Sequence, residues 1–170
     1  MEVAVVSERQ PDVAALVLNR LADSYRLARA ILLDDTEAED AVQEASLAAW
    51  RRRDALRDPD RFEAWFERIL VNQCRDQLRR RKRTVKVTAP PIGFDPADAP
   101  PETGTDAELD RALAALDADH RIVVVMRYWQ DRTVEDIAGR VGIPAGTVKS
   151  RLHNALRSLR TTLEAGRERS

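Results

Sequence analysis

Apolar residues recur at helical spacing through the first part of the chain. The spacing predicts one helix over about residues 12–33 and a second over about residues 37–53. Thr36 is placed to cap the second helix, because its hydroxyl can accept a hydrogen bond from the first turn. Residues 54–60 contain a proline and break the pattern. A third helix is predicted over about residues 61–83, aromatic near its start and basic near its end.

Helical periodicity disappears between residues 84 and 106, where five of the eight prolines fall. This stretch is acidic and poor in apolar residues, so it predicts a partly stiff tether without a packed core. Residues 107–165 return to helical spacing, first around Leu109, Leu113 and Leu116 and then over about residues 119–129. The sequence therefore predicts an all-α protein of two small helical modules, 12–83 and 107–165, joined by a flexible, acidic, proline-rich linker, 84–106.

The second module carries the pattern of a helix-turn-helix. Thr133 and Asp136 have the spacing of a capping box, which predicts a helix over about residues 134–141 that ends at Gly142. The next helix is predicted over about residues 145–163. A recognition helix presents its early polar residues to bases and phosphates, and here these are Thr147, Lys149, Ser150 and Arg151. A solvated basic helix is the alternative, and the turn pattern favours DNA binding.

Composition narrows the functional classes. The 170 residues are 44% hydrophobic but only 5% aromatic, which suits packed helices built from small and branched aliphatic side chains. One cysteine, Cys74, and two histidines cannot supply an intramolecular disulfide or a Cys/His zinc site, so Cys74 is predicted to be buried filler. The sequence has no recognisable signal peptide or membrane span, so we expect a cytoplasmic protein.

The net charge of −1 argues at first against a polyanionic partner, but it conceals blocks of opposite sign. The net charge is −5 over residues 1–65, +6 over 66–86, −5 over 87–108 and +3 over 109–170. Five consecutive cations, residues 79–83, end the third predicted helix. Counterion release from nucleic-acid phosphates is a natural use for such a run, and a solvated helix end is the alternative.

A cluster of carboxylates begins the second predicted helix. Asp40 and Glu44 lie four residues apart, so both could reach one divalent cation. No histidine or phosphate-cradling glycine loop supports this reading, so a metal-dependent enzyme is the weaker hypothesis.

Two stretches of the chain resemble the conserved regions of bacterial extracytoplasmic-function sigma factors. Residues 40–45, Asp-Ala-Val-Gln-Glu-Ala, resemble region 2 of that family, and the resemblance continues through Trp50, Phe62, Trp65, Asn72 and Asp76. Residues 133–160, with Gly-Thr-Val-Lys-Ser-Arg-Leu-His at 146–153, resemble region 4. The two stretches cover nearly all of residues 12–163 in the family's order.

The resemblance implies a dissociable initiation subunit of RNA polymerase, not an enzyme, with no cofactor or metal. The helix holding Asp40, Gln43 and Glu44 would dock on the coiled coil of the polymerase clamp, and the second module would meet the flap. The first module would bind and help to melt the minus-ten element, with residues 56–61 capturing a flipped base. The second module would read the minus-thirty-five element. An anti-sigma factor is a further expected partner, and no membrane insertion is expected.

The residues that the resemblance assigns to promoter DNA fall into two groups. Those of the first module are Leu56, Arg57, Arg61, Trp65, Asn72, Arg75, Asp76, Arg79 and Arg80. Those of the second are Thr147, Lys149, Ser150, Arg151 and Asn154. Asn154 stands where the family often has Arg or Lys, and asparagine pairs well with adenine, so we expect an adenine contact there. The run Leu116-Asp117-Ala118-Asp119 replaces the family's usual Leu-Pro, which leaves the start of the following helix less sharply specified.

Two rival interpretations stay open at this point. A free-standing helix-turn-helix regulator would explain the second module equally well. It would leave the acidic cluster and the aromatic-to-basic helix of the first module without a role. A metal-dependent enzyme would explain the acidic cluster alone.

Overall fold

The computed structural model describes residues 12–88 and 105–167. The first module opens with two short helices, α1 (Val13–Leu18) and α2 (Leu21–Leu32), followed by α3 (Asp35–Arg51). Two single 3₁₀ turns, Arg53–Ala55 and Pro59–Arg61, lead into the long helix α4 (Phe62–Thr88). Helix α3 buries its alanine stripe, while Phe62 and Phe66 stack with ring centroids 5.4 Å apart in the core.

The second module consists of four helices. These are α5 (Thr105–Ala115), α6 (Ala118–Tyr128), α7 (Val134–Val141) and α8 (Ala145–Arg167). Helices α7 and α8 form the helix-turn-helix, and Ile137 and Val148 are fully buried between them and the rest of the core. The all-α prediction with two helical modules is confirmed. The predicted linker overlaps the last turn of α4, because that helix continues to Thr88, and residues 89–104 lie outside the described residues.

Two local predictions in the first module differ from the structure. The single helix predicted over residues 12–33 is broken at Asn19 and Arg20, where the Arg20 N–H bonds to Val17 O, 2.9 Å away, and tightens the end of α1. Asparagine favours such a break because its side chain competes for backbone hydrogen bonds. Helix α3 is capped by Asp34, not Thr36: the Asp34 carboxylate accepts from the Glu37 N–H at 2.8 Å, and Thr36 lies inside the first turn.

The two modules pack against each other across a shared core. Ile31 and Leu70 of the first module belong to the same buried cluster as Ile122, Met126 and Ile137 of the second. The contact is made by α2 and α4 on one side and by α6 and α7 on the other. The sequence did not predict this arrangement, because a flexible tether leaves the relative placement of two modules open.

Arg121 of α6 crosses the boundary between the modules. It is only 5% exposed, and its guanidinium donates to Ile31 O of α2 at 3.1 Å. It also donates to Ala114 O and Leu116 O, at 2.9 and 3.3 Å, where α5 ends. Burial lowers the pKa of Arg121 to about 10. One buried cation therefore satisfies carbonyl groups at the C-terminal ends of two helices.

Candidate nucleic-acid and partner-binding surfaces

The outer side of α3 presents an acidic face. Asp40, Gln43 and Glu44, called the docking face below, are exposed and share one side of the helix, as their spacing requires. Within residues 12–88 and 105–167, none of the three forms a hydrogen bond or an ion pair with another residue. The described ranges also contain no group of three or more potential metal ligands around them. The face is thus free to meet a partner.

Two apolar side chains extend the docking face along α3. Leu47 and Trp50 are 41% and 51% exposed, and the Arg53 guanidinium lies 4.9 Å from the Trp50 ring centroid. The sequence interpretation gave neither residue a binding role. Their spacing of seven and ten residues from Asp40 places them on the same side of the helix, and this signal could have indicated them.

The loop before α4 and the start of α4 divide their side chains between core and surface. Leu56 was predicted to contact DNA, but it is only 4% exposed and belongs to the hydrophobic core, so its side chain does not fit that role in this structure. The leucine turns inward because it is the apolar residue of a polar loop beside a core that can bury it. Arg57 and Arg61 are exposed, and Trp65 is half-buried, with its ring centroid 6.1 Å from that of Phe62.

The second half of α4 carries the basic surface. Asn72, Asp76, Arg79 and Arg80 are exposed, whereas the side chain of Arg75 is only 15% exposed. The five cations of residues 79–83 are not equivalent, because Arg81 forms a two-point ion pair with Glu37 of α3. Cys74 is fully buried on the inner side of this helix, as predicted, and burial raises its pKa to about 12.

The helix-turn-helix forms as its local sequence predicts. The Thr133 hydroxyl accepts from the Asp136 N–H at 3.1 Å, and the Asp136 carboxylate accepts from the Thr133 N–H at 3.3 Å, which completes the capping box. The hydrogen bond from the Thr133 hydroxyl lowers the pKa of Asp136. Gly142 ends α7 with φ of +74°, a left-handed conformation that glycine adopts without steric strain.

The start of α8 presents polar side chains on its outer side. Lys149, Ser150 and Asn154 are exposed and Thr147 is half-buried. The side chain of Arg151 is only 24% exposed, because it points to the boundary between the modules. Four of the five residues predicted to read DNA in this module are therefore accessible at least in part without any movement, and Arg151 is largely covered.

Asp119, at the start of α6, binds arginines from both modules. Its carboxylate lies 2.9 Å from Arg75 Nε and 3.5 Å from Arg79 Nη2, both of α4, and 3.2 Å from Arg151 Nη2 of α8. These four residues are called the Asp119 cluster below. The Arg75 contact is an ion pair without hydrogen-bond alignment. The sequence did not indicate a role for Asp119, because its three arginine partners lie at distant positions along the chain.

A second set of ion pairs joins the modules closer to the start of α4. Arg132 Nη2 lies 2.6 Å from Glu63 Oε1 and 3.4 Å from Glu67 Oε1, and Arg140 also pairs with both carboxylates. These four residues are called the Glu63 cluster below. The hydrogen bond from Arg132 lowers the pKa of Glu63. Acidic side chains of the first module thus meet basic side chains of the second.

Comparison with known proteins identifies the family. The family model of Sigma-70 region 2 matches residues 7–84, and that of Sigma-70 region 4 matches residues 112–161. The chain belongs to the sigma-70 family of RNA polymerase sigma factors. The two matches lie on either side of the predicted linker and cover most of the chain, in agreement with the predicted order of modules.

Similar proteins place this sigma factor in the extracytoplasmic-function group. It is 38% identical over 157 residues to the ECF RNA polymerase sigma factor SigL of Mycobacterium tuberculosis, with 88% of each chain covered. It is 31% identical over 141 residues to the RNA polymerase sigma factor SigV of Bacillus subtilis, covering 83% of this chain and 84% of that one.

Among solved structures, this sigma factor resembles RpoE of Bartonella quintana in complex with the anti-sigma factor NepR, with a TM-score of 0.67 and 27% identity. That similarity covers 90% of this chain and 97% of the other. It also resembles CnrH in complex with the cytosolic domain of CnrY, with a TM-score of 0.63, 27% identity, and 90% and 88% of the two chains covered.

The family assignment decides between the interpretations left open by the sequence. The region 2 match accounts for the acidic helix and the aromatic-to-basic helix, which a free-standing regulator would leave without a role. The sigma factor prediction is therefore confirmed, and the rival regulator is not favoured. No helix within the two described ranges is long and apolar enough to cross a membrane.

Proposed function

We propose that this sigma factor uses three separate surfaces to start transcription. The docking face of α3 binds the coiled coil of the polymerase clamp. The loop before α4 and the basic half of α4 bind and help to melt the minus-ten element. The start of α8 reads the minus-thirty-five element, and its module also meets the flap. The protein acts in the cytoplasm, carries out no chemical step of its own and needs no cofactor.

The observation that carries the proposal is the exposed docking face. A helix that placed Asp40, Gln43 and Glu44 outward for solubility alone would not also expose Leu47 and Trp50 beside them. An exposed surface that mixes carboxylates with large apolar side chains is typical of protein interfaces, where an apolar centre is bordered by polar groups. Leu47 and Trp50 therefore belong to the polymerase contact in this proposal.

Charge reversal on the docking face tests the polymerase contact. We expect Glu44→Lys to weaken binding to matching core polymerase by roughly tenfold or more, because it replaces a negative side chain of the proposed interface by a positive one. Glu164→Lys is the matched control, since it changes the net charge equally at an exposed position of α8. Equal core affinity for Glu44→Lys and the unmodified protein would contradict the assignment of α3.

Base substitution tests the reading of the minus-thirty-five element. We expect Asn154→Ala to lose affinity only for sequences that carry adenine at the contacted position. Arg157→Ala is the comparison, because an exposed arginine farther along α8 that contacts phosphate should lose affinity uniformly and lower the salt dependence. An equal loss of affinity for Asn154→Ala on every sequence would exclude the adenine contact.

Transcription in vitro tests the function as a whole. Core polymerase with this protein and fragmented genomic DNA should initiate at a limited set of start sites that share two sequence elements. Tight operator binding without any association with core polymerase would instead support a free-standing regulator.

An anti-sigma factor is a further proposed partner. The support is that two structurally similar sigma factors were solved in complex with the anti-sigma factor NepR and with the cytosolic domain of CnrY. Affinity purification of the tagged protein from its own cells, with and without stress, should recover such a partner in a stress-dependent amount. Recovery of core polymerase alone under every condition would contradict this part of the proposal.

A further inference from the structure

The face of α4 that the proposed function assigns to promoter DNA ends in a threonine. Four exposed residues follow one another at intervals of four along this helix and therefore share one side of it: Asn72, Asp76, Arg80 and Thr84. The first three belong to the proposed minus-ten contact. Thr84 extends the same surface by one helical turn, and the proposed function gives it no role.

The hydroxyl of Thr84 is accessible to an enzyme. It donates to Arg80 O at 3.1 Å, which is the usual hydrogen bond of a threonine within a helix. Helix α4 ends at Thr88, and the carbonyl groups of a last turn have no N–H partner farther along the helix. Opening that turn therefore breaks few hydrogen bonds, so an enzyme that acts on an extended segment can reach Thr84.

The residues before Thr84 are those that a basic-selective protein kinase recognises. Five cations, residues 79–83, directly precede it, and kinases choose among exposed hydroxyls largely by the charges of flanking residues. Thr161 of α8 is a comparison within the same chain, because it is exposed and donates to Arg157 O at 3.1 Å in the same way. Its second and third preceding residues are Leu159 and Ser158, which carry no charge.

A phosphate on Thr84 would lie beside one available arginine. It adds a charge of about −1.5 to −2 and three acceptor oxygens, and side chains in a helix lean toward the turn before them. Arg80 and Arg81 occupy that turn, and Arg81 is already paired with Glu37. Within residues 12–88 and 105–167 the Arg80 side chain forms no ion pair. Arg80 is therefore the arginine that the phosphate would bind.

The remaining negative charge would face the DNA. Because Thr84 shares a side of α4 with the proposed DNA contacts, its phosphate would repel the phosphates of the promoter where they approach Arg80. Neither the Asp119 cluster nor the Glu63 cluster contains Arg80 or Thr84. The modification would thus act on the DNA surface and leave the ion pairs between the modules unchanged.

We propose that Thr84 is a phosphorylation site, at which a protein kinase selective for basic segments weakens the minus-ten contact. ATP is the phosphoryl donor. The bond between the γ-phosphorus and the β–γ bridging oxygen breaks, and a bond from the γ-phosphorus to Thr84 Oγ1 forms. The hydroxyl proton passes to a base of the kinase, and ADP leaves. The DNA role of Arg80 rests on the proposed function.

Mass spectrometry tests whether the modification occurs. The tagged full chain is purified from its own cells during growth and under heat, salt and oxidative stress. A protease that cuts before aspartate releases residues 76–94 as one peptide, in which fragmentation separates Thr84 from Thr88. We expect phosphate on Thr84 under at least one condition and none on Thr161. An unmodified Thr84 under every condition would overturn the proposal.

Promoter binding by the holoenzyme tests the consequence. The chain is phosphorylated with the catalytic subunit of cyclic-AMP-dependent protein kinase, which prefers basic residues before its target, and is then combined with core polymerase. Thr84→Ala, treated in the same way, is the control. Release of about 0.9 counterion per phosphate contact corresponds to about eightfold in affinity at 0.1 M salt, so the loss of the Arg80 contact should weaken promoter binding by about that factor. The salt dependence should also fall by about one contact.

Two variants give the same comparison without a kinase. Thr84→Glu should weaken promoter binding relative to Thr84→Gln, which has nearly the same size and no charge. Ala15→Glu adds the same charge at an exposed position of α1 and should leave promoter binding unchanged.

Three results of the binding assay would contradict the proposal. These are unchanged promoter affinity after phosphorylation of Thr84, an equal loss in the treated Thr84→Ala chain, and a loss of core polymerase affinity in place of promoter affinity. Failure of the unmodified holoenzyme to bind or transcribe any promoter would instead count against the proposed function. The measurement of phosphate on Thr84 in cells does not depend on that function.

Discussion

Replacing Arg121 with methionine would remove one guanidinium from the boundary between the modules and keep most of the apolar stem. The variant leaves the carbonyls of Ile31, Ala114 and Leu116 without their donor. All three lie at the ends of helices α2 and α5, where no further backbone N–H is available along the helix to replace the arginine. The loss is therefore not repaired by local rearrangement of the helices.

The magnitude follows from two opposing contributions. Hydrogen bonds to a charged group contribute about 1.5–3 kcal/mol each, so three of them contribute roughly 4.5–9 kcal/mol. Holding the charge in the interior opposes this: burial lowers the pKa of Arg121 to about 10, which corresponds to a cost of roughly 3 kcal/mol. We therefore expect Arg121→Met to lower the free energy of unfolding by about 1.5–6 kcal/mol.

Urea denaturation of the full chain, extrapolated linearly to water, measures this difference. Arg111→Met is the control, because Arg111 is exposed on α5 and, among the described residues, bonds only within its own helix, to Ala107 O at 3.2 Å. Its effect should stay within about 0.5 kcal/mol, as is usual for surface positions. A loss below about 1 kcal/mol for Arg121→Met would refute the reasoning, since the desolvation cost would then cancel nearly all of the hydrogen bonding.

Three further predictions concern single residues. Gly142→Ala should lower the free energy of unfolding by about 1 kcal/mol, because alanine is strained at φ of +74° and its Cβ would lie 2.8 Å from Arg68 Nη2. Unchanged stability in urea denaturation would contradict this turn geometry. Cys74 should react with a thiol-specific disulfide reagent only as the chain unfolds, because it is buried and its pKa is raised to about 12; rapid labelling of the native protein would exclude this burial. The hydrogen bond from Arg132 lowers the pKa of Glu63 from its usual 4.5. The ionised Glu63 carboxylate therefore stabilises the folded state fully above pH 4.5, and this stabilisation is lost as the pH falls through the pKa of the folded state. The stability difference between the unmodified protein and Glu63→Gln should therefore shrink below pH 4.5, and a difference that grows there would show that Glu63 is not held as a carboxylate.

The parts of the fold that depend on neighbouring residues could be predicted from the sequence. The capping box of Thr133 and Asp136 and the left-handed Gly142 are set by residues within one or two turns, so the bounds of α7 were predicted correctly. The predicted cap of α3, Thr36, was wrong, because Asp34 and Thr36 are both good caps and only the extended backbone of Asp34 decides between them.

The parts that depend on distant residues could not be predicted in the same way. Asp119 meets Arg75 across 44 positions, and no local pattern indicates that pairing. Leu56 lies in a loop whose family role suggested DNA contact, and its burial follows only from the core beneath it. Arg121 directly precedes an apolar run, and nothing in the local sequence indicates that α2 and α5 end beside it.

The number of residues between α4 and α5 limits how far the second module can lie from the end of α4. The 27 residues of α4 correspond to about 40 Å of rigid helix, and the chain leaves it at Thr88. Helix α5 begins at Thr105, so residues 89–104 can span at most about 60 Å whatever their conformation. With one base pair rising about 3.4 Å, this reach corresponds to roughly 17 base pairs of straight duplex. The tether therefore limits the separation of Thr88 and Thr105 on promoter DNA, and any wider spacing of the two elements has to be covered by the modules themselves.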